Sequence, residues 1–223
     1  ISAGADVTAA NNYSESPLSL ACQNSNAVLV RALLEGGADP HATKPSGETI
    51  LMTAARAGGL DVVELLLDHD LEINARESEK GQTALMWATA NKHEGIVEAL
   101  ISAGSDVNAS STGGSTALHF AVQQGDVLSA SLLLKAGADV HAAMTVRQMD
   151  QFTLGLVETL DGITPLWLAI TICRQDGREF FGSTELSELD ISISQSCPVN
   201  EELGILFLSH GADPNAPSGA GFP

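Results

Sequence analysis

The chain has 223 residues, 44% hydrophobic and 17% charged, so it carries enough apolar material to fold and does not read as a disordered sequence. Acids outnumber bases 28 to 10, a net charge of −18 that repels phosphate backbones and anionic bilayers and favours a neutral or basic partner. Aromatic residues make up 4%, thin for one compact core but suited to stacked units that bury Ala and Leu.

Taken in chain order, one phrase recurs: Gly4-Ala5-Asp6-Val7, Gly37-Ala38-Asp39-Pro40, Gly104-Ser105-Asp106-Val107, Gly137-Ala138-Asp139-Val140 and Gly211-Ala212-Asp213-Pro214. A degraded copy, Asp70-Leu71-Glu72-Ile73, fills the gap, and the first four steps are 33, 33, 34 and 33 residues. A second phrase keeps the same register: Ser16-Pro17-Leu18, Thr49-Ile50-Leu51, Thr83-Ala84-Leu85, Thr116-Ala117-Leu118-His119 and Thr164-Pro165-Leu166. Two interleaved phrases at one period define a repeat array.

Each unit reads as helix, turn, helix, hairpin. The Ser or Thr hydroxyl is placed to cap a short first helix of small residues, such as Thr53-Ala54-Ala55. Aliphatic residues at helical spacing then predict second helices over 27–35, 60–69, 94–102, 127–135 and 200–209. The recurring Gly ends each second helix, and Gly47, Gly81, Gly114 and Gly162 supply tight hairpin turns. A single unit cannot bury its apolar faces, so the copies must stack.

These phrases resemble ankyrin repeats, most closely at Thr116-Ala117-Leu118-His119, Thr164-Pro165-Leu166-Trp167 and Gly104-Ser105-Asp106-Val107-Asn108. The resemblance implies an all-α solenoid of five stacked helix pairs with hairpin fingers, in one domain. Repeats are expected near 11–43, 44–76, 77–109, 110–142 and 161–215, with 1–10 and 216–223 as parts of flanking repeats.

Two insertions interrupt the period. Gly37 to Thr49 is 12 residues but Gly137 to Thr164 is 27, which adds the apolar segment 143–160 with Met144, Met149, Phe152 and Leu156. Thr116 to Gly137 is 21 residues but Thr164 to Gly211 is 47, which adds the acidic segment 174–198 inside repeat five. Long additions of this kind are functional or unstructured.

Catalytic motifs are absent: the sequence contains no Walker-type loop, no G-x-S-x-G and no H-E-x-x-H. Cys22, Cys173 and Cys197 are widely spaced and read as reduced, incidental thiols, and no His has a metal-ligand neighbour at the right spacing. No cofactor or metal is expected. His119 belongs to the Thr-x-Leu-His phrase, where the resemblance implies a hydrogen-bonding tie between neighbouring hairpins. No apolar run approaches the roughly 20 residues a membrane span needs.

The resemblance implies a protein-binding module, intracellular and monomeric, not an enzyme. Its partner is expected on the concave hairpin and first-helix face. The family's variable positions there fall on Tyr13, Glu15, Gln23, Glu48, Arg56, Gln82, Asn91, Ser115, Gln123 and Gln124. In repeat five they fall on Leu160, Asp161, Ile163, Thr171 and Ile172, mostly apolar where the others are polar, and the apolar Leu160, Ile163 and Ile172 are to be covered either by the insertion or by a partner. The alternative is an enzyme or regulatory domain whose pocket the two insertions build from carboxylates and apolar residues.

Overall fold

The computed structural model describes residues 6–11, 15–146, 160–172 and 198–214, with side chains left aside at 145, 146, 160, 161, 170–172 and 198–200. The described residues form ten helices and one two-stranded pairing. Five helix pairs follow in order: α1 (Pro17–Gln23) with α2 (Ala27–Glu35), α3 (Ile50–Ala57) with α4 (Leu60–Leu67), and α5 (Ala84–Ala90) with α6 (Glu94–Ser102). Then come α7 (Ala117–Gln124) with α8 (Val127–Lys135) and α9 (Pro165–Ile172) with α10 (Pro198–Ser209). First helices pack on first helices and second on second, which makes two layers and an all-α solenoid.

The caps explain the helix starts. Ser16, Thr49, Thr83 and Thr164 accept from the backbone N–H three residues on, at 3.1, 3.2, 3.4 and 3.3 Å. Three of the second helices match their expected bounds; α4 stops at Leu67 and α10 starts at Pro198. The helix ends explain the recurring Gly. Gly37 has φ +90°, and a Cβ there would meet nothing within 4 Å, so the backbone conformation alone requires glycine. Its N–H donates to the Leu34 carbonyl and that of Ala38 to the Leu33 carbonyl, which closes the helix. The degraded copy lacks this glycine, and neither His69 nor Asp70 after α4 takes a positive φ.

The buried side chains run through the stack as one cluster, from Leu18 to Ala212. Leu66, Leu100, Leu118 and Leu133 are fully enclosed between the layers. The small residues of the first helices, Ala54, Ala55, Ala88 and Ala121, are equally enclosed, which lets neighbouring first helices approach closely.

Fingers join across the period. The Ser46 carbonyl accepts from both the Ser78 N–H and hydroxyl at 2.7 Å, and the Lys80 carbonyl accepts from the Thr112 N–H at 2.8 Å. A Cβ on Gly47 would lie 2.9 Å from Ser78 Oγ, so glycine is needed there for contact as well as for its φ of +75°. At the finger base, Asn74 accepts from the Asp106 N–H at 2.8 Å and Asn108 from the Asp139 N–H at 2.7 Å. His41 stands at the equivalent place in repeat one, and no such bond is found there among the described residues. A cleft of about 370 Å³ opens there, lined by Pro40, His41, Glu72 and Arg76.

The first insertion begins and ends in structure. Strand β1 (Met144–Val146) pairs antiparallel with β2 (Leu160–Ile163), Met144 opposite Ile163 and Val146 opposite Leu160. The remainder of that insertion and residues 174–197 of the other lie outside the described residues.

Candidate functional site

The first-helix face carries one organised cluster, centred on repeats two and three. Glu48 precedes the cap residue Thr49 at the N-terminus of α3, and Arg56 stands in the last turn of that helix. One oxygen, Glu48 Oε1, accepts from Thr53 Oγ1 at 2.8 Å, Lys44 Nζ at 3.0 Å and Arg56 at 3.2 Å. The guanidinium of Arg56 lies 4.6 Å from the centroid of the Trp87 ring on α5. Asn91, one turn on from Trp87, donates its side-chain N–H to the Trp87 carbonyl at 2.8 Å. The Trp87 indole nitrogen is enclosed without a partner. Arg56 is therefore held in a fixed pose over an aromatic face, and its side chain remains 44% exposed.

The other expected positions distribute around this cluster. Glu15 accepts from Gln23 and Asn11, each at 3.2 Å, and these bonds hold its carboxyl below the usual range. Gln82 and Ser115 are half-buried in their fingers, and Gln123 and Gln124 stand exposed at the end of α7. Tyr13 lies outside the described residues, and Leu160 and Ile172 are placed only as positions in β2 and α9. For Ile163 the structure selects between the two expected covers and removes it from the partner-contact positions. It is 1% exposed, packed in the core opposite Met144, so the chain itself covers this apolar position.

His119 is fully enclosed. Its Nδ1 is 3.2 Å from the Thr116 N–H, which can only donate, so the ring proton sits on Nε2 and points at the Ile163 carbonyl 3.2 Å away. Burial drives its pKa down to about 4, a neutral imidazole that ties repeat four to the strand entering repeat five. His93 does a similar job, its Nε2 lying 3.1 Å from the Arg56 carbonyl. The spacing of the sequence did not reveal that contact, because His93 marks only a helix start there.

Glu77 was also missed. Burial pushes its carboxyl up, but the N–H groups of Gln82, Glu79 and Lys80 outweigh it and hold the group low. They reach it at 2.9, 2.6 and 2.8 Å and shape the third finger. Cys22 is buried, which pushes its thiol up to about 12 and leaves it inert at neutral pH. Asn108, in an Asn-x-Ser triplet, uses its amide on Gly137 and Asp139. Among the described residues no three His, Cys, Asp or Glu side chains gather as metal ligands, and no helix is long and apolar enough to cross a membrane.

The family model for ankyrin repeats, in three copies, matches residues 1–77 and 75–144. The chain belongs to the ankyrin-repeat family. It is 31% identical to the B-cell lymphoma 3 protein homolog of Mus musculus over 143 residues, 62% of this chain and 32% of that protein. It is 35% identical to the nuclear factor NF-kappa-B p105 subunit of Gallus gallus over 164 residues, 71% of this chain and 15% of that protein. Against the neurogenic locus notch homolog protein 1 of Xenopus tropicalis it is 36% identical over 126 residues, 56% of this chain and 5% of that protein. The chain thus spans a third or less of the curated relatives it matches.

Proposed function

We propose that this chain is a protein–protein interaction module that holds a partner protein or peptide on its finger and first-helix face, with no catalysis of its own. The observation that carries this reading is the Glu48–Arg56–Trp87 arrangement. Arg and Trp are the side chains that most often dominate binding energy. Here Glu48 pre-sets Arg56 over the Trp87 ring, so a partner does not have to order the guanidinium. The exposed amides of Asn91, Gln123 and Gln124 continue the same face with adaptable hydrogen-bonding groups.

Family membership and the relatives support the interaction role. The net charge of −18 favours a neutral or basic partner over nucleic acid or an anionic membrane. One relative is by name a nuclear factor subunit, which supports an intracellular setting. We take the chain to act as a monomer, in repeats near 11–43, 44–76, 77–109, 110–142 and 161–215. The test is affinity capture with the chain as bait and mass spectrometry as readout, repeated with Arg56→Ala and with Trp87→Ala. Loss of the same captured protein in both variants, with the fold intact by circular dichroism, supports the reading. Retention in both sinks it.

A further inference from the structure

The outer layer is not a plain solvated surface. Among the described residues, six of the seven exposed large apolar side chains lie on second helices: Val28, Leu29, Leu60, Leu128, Ile205 and Leu208. Val28, Leu60 and Leu128 fall in the first turns of α2, α4 and α8, at 82%, 37% and 60% exposure. The equivalent turn of α6, between α4 and α8, carries Gly95. A Cβ on Gly95 would stand 3.3 Å from the Leu60 side chain, so one leucine already leans over the glycine. On the other side a notch of about 300 Å³ opens between α6 and α8, with Leu128 and Leu132 as its apolar wall.

The rim of this notch is acidic. Glu94 and Glu98 stand one helical turn apart on α6 and both line it; Asp61 and Glu64 are exposed on the neighbouring α4. Among the described residues the ion pairs are those of Glu48, so none of these four carboxylates is neutralised by a nearby cation. Lys135 lines the notch and still pairs with neither Glu94 nor Glu98. A slot with leucines on its α8 wall and unpaired carboxylates on its α6 wall selects its occupant by charge. An acidic or neutral polar segment would leave either the leucines wet or the carboxylates crowded by like charge.

We propose that the outer face of α4, α6 and α8 is a second docking surface, and that it takes a basic amphipathic helix of a partner protein. An apolar side chain of that helix enters the notch over Gly95 beside Leu128. Lys or Arg residues flanking it reach Glu94 and Glu98 on α6 and, beyond them, Glu64 on α4. The face lies on the layer opposite the first helices, so the module can hold two partners at once.

The probe is a synthetic helical peptide with leucines along one face and lysines along the other, titrated into the full chain and followed by NMR chemical shifts and by fluorescence. Two control peptides accompany it: the same composition with the two faces scrambled, and the lysines replaced by glutamates. The expected result is saturable binding of the first peptide alone, with shifts centred on Gly95, Glu98 and Leu128. Leu128→Ser should weaken it about tenfold or more, as should the paired change Glu94→Lys and Glu98→Lys. Both sites are exposed, so the melting temperature should stay put, and the charge variant keeps the test decisive if Leu128→Ser is damaged. Arg56→Ala should leave this binding unchanged, which separates it from the first-helix face. Equal binding of the scrambled peptide, or shifts centred on α3, α5 and α7, would overturn the proposal.

Discussion

The Nε2 of His119 sits 3.2 Å from the carbonyl of Ile163, 44 residues away, and this bond closes repeat four onto the strand that opens repeat five. The imidazole is neutral because burial lowers its pKa from 6.5 to about 4. The unfolded chain therefore binds this proton more readily than the folded one between those two values. Its contribution is fully present above pH 6.5 and is lost as the pH falls toward 4. The separation corresponds to roughly 3 kcal/mol. Denaturant melts of wild type and His119→Gln across pH 4 to 7 should converge at the acid end; parallel curves would contradict the assignment.

Glu77 carries the same sign, by a different cause. Its carboxyl is held low against three backbone N–H groups, so its stabilisation is present above the usual Glu range and fades as the pH drops through its lowered value. Glu77→Gln is expected to cost about 1–3 kcal/mol near neutral pH. Hydrogen exchange at Glu79, Lys80 and Gln82 is the local readout, and unchanged protection there would count against the role.

A pair of variants separates scaffold from surface. Leu66 is fully buried, and Leu66→Ala should cost about 2–5 kcal/mol through the cavity it leaves. Gln123 is exposed on α7, and Gln123→Ala should change stability by less than about 0.5 kcal/mol. Urea denaturation measures both; equal losses would contradict the burial pattern.

The base of the fingers offers a further test. Asn108 bonds Asp139 at 2.7 Å and Gly137 at 3.1 Å, linking repeats three and four. Asn108→Ala should cost about 1–2 kcal/mol by loss of these bonds. His41→Asn, which offers repeats one and two the tie that Asn74 and Asn108 make further along, is expected to raise the melting temperature. A fall would show that the cleft beside Glu72 cannot close.

Much of the scaffold was legible because its signals are local. A Thr before a helix satisfies N–H groups three residues away, and Gly37 meets a backbone demand that no neighbour imposes. Such requirements repeat with the unit, so period and phrase carried the helix pairs and their order. The array of α1 to α10 was determined by sequence in that sense.

The site was only partly legible. Arg56 and Trp87 belong to different repeats, and their stacking depends on how closely α3 and α5 approach, which the buried alanines decide. For Ile163 the sequence left two covers open, the insertion or a partner, and the pairing of β1 with β2 places it in the core. The sequence by itself determined the repeat, its caps and its acidic charge, since these follow from residue type and local spacing. Only the tertiary structure decided which carboxylates hold a cation, which histidine bridges repeats and where leucines stay wet. The histidine bridge and the wet leucines depend on stacking between units about one repeat apart, whereas the Glu48 pairs form within one repeat where its finger folds against α3.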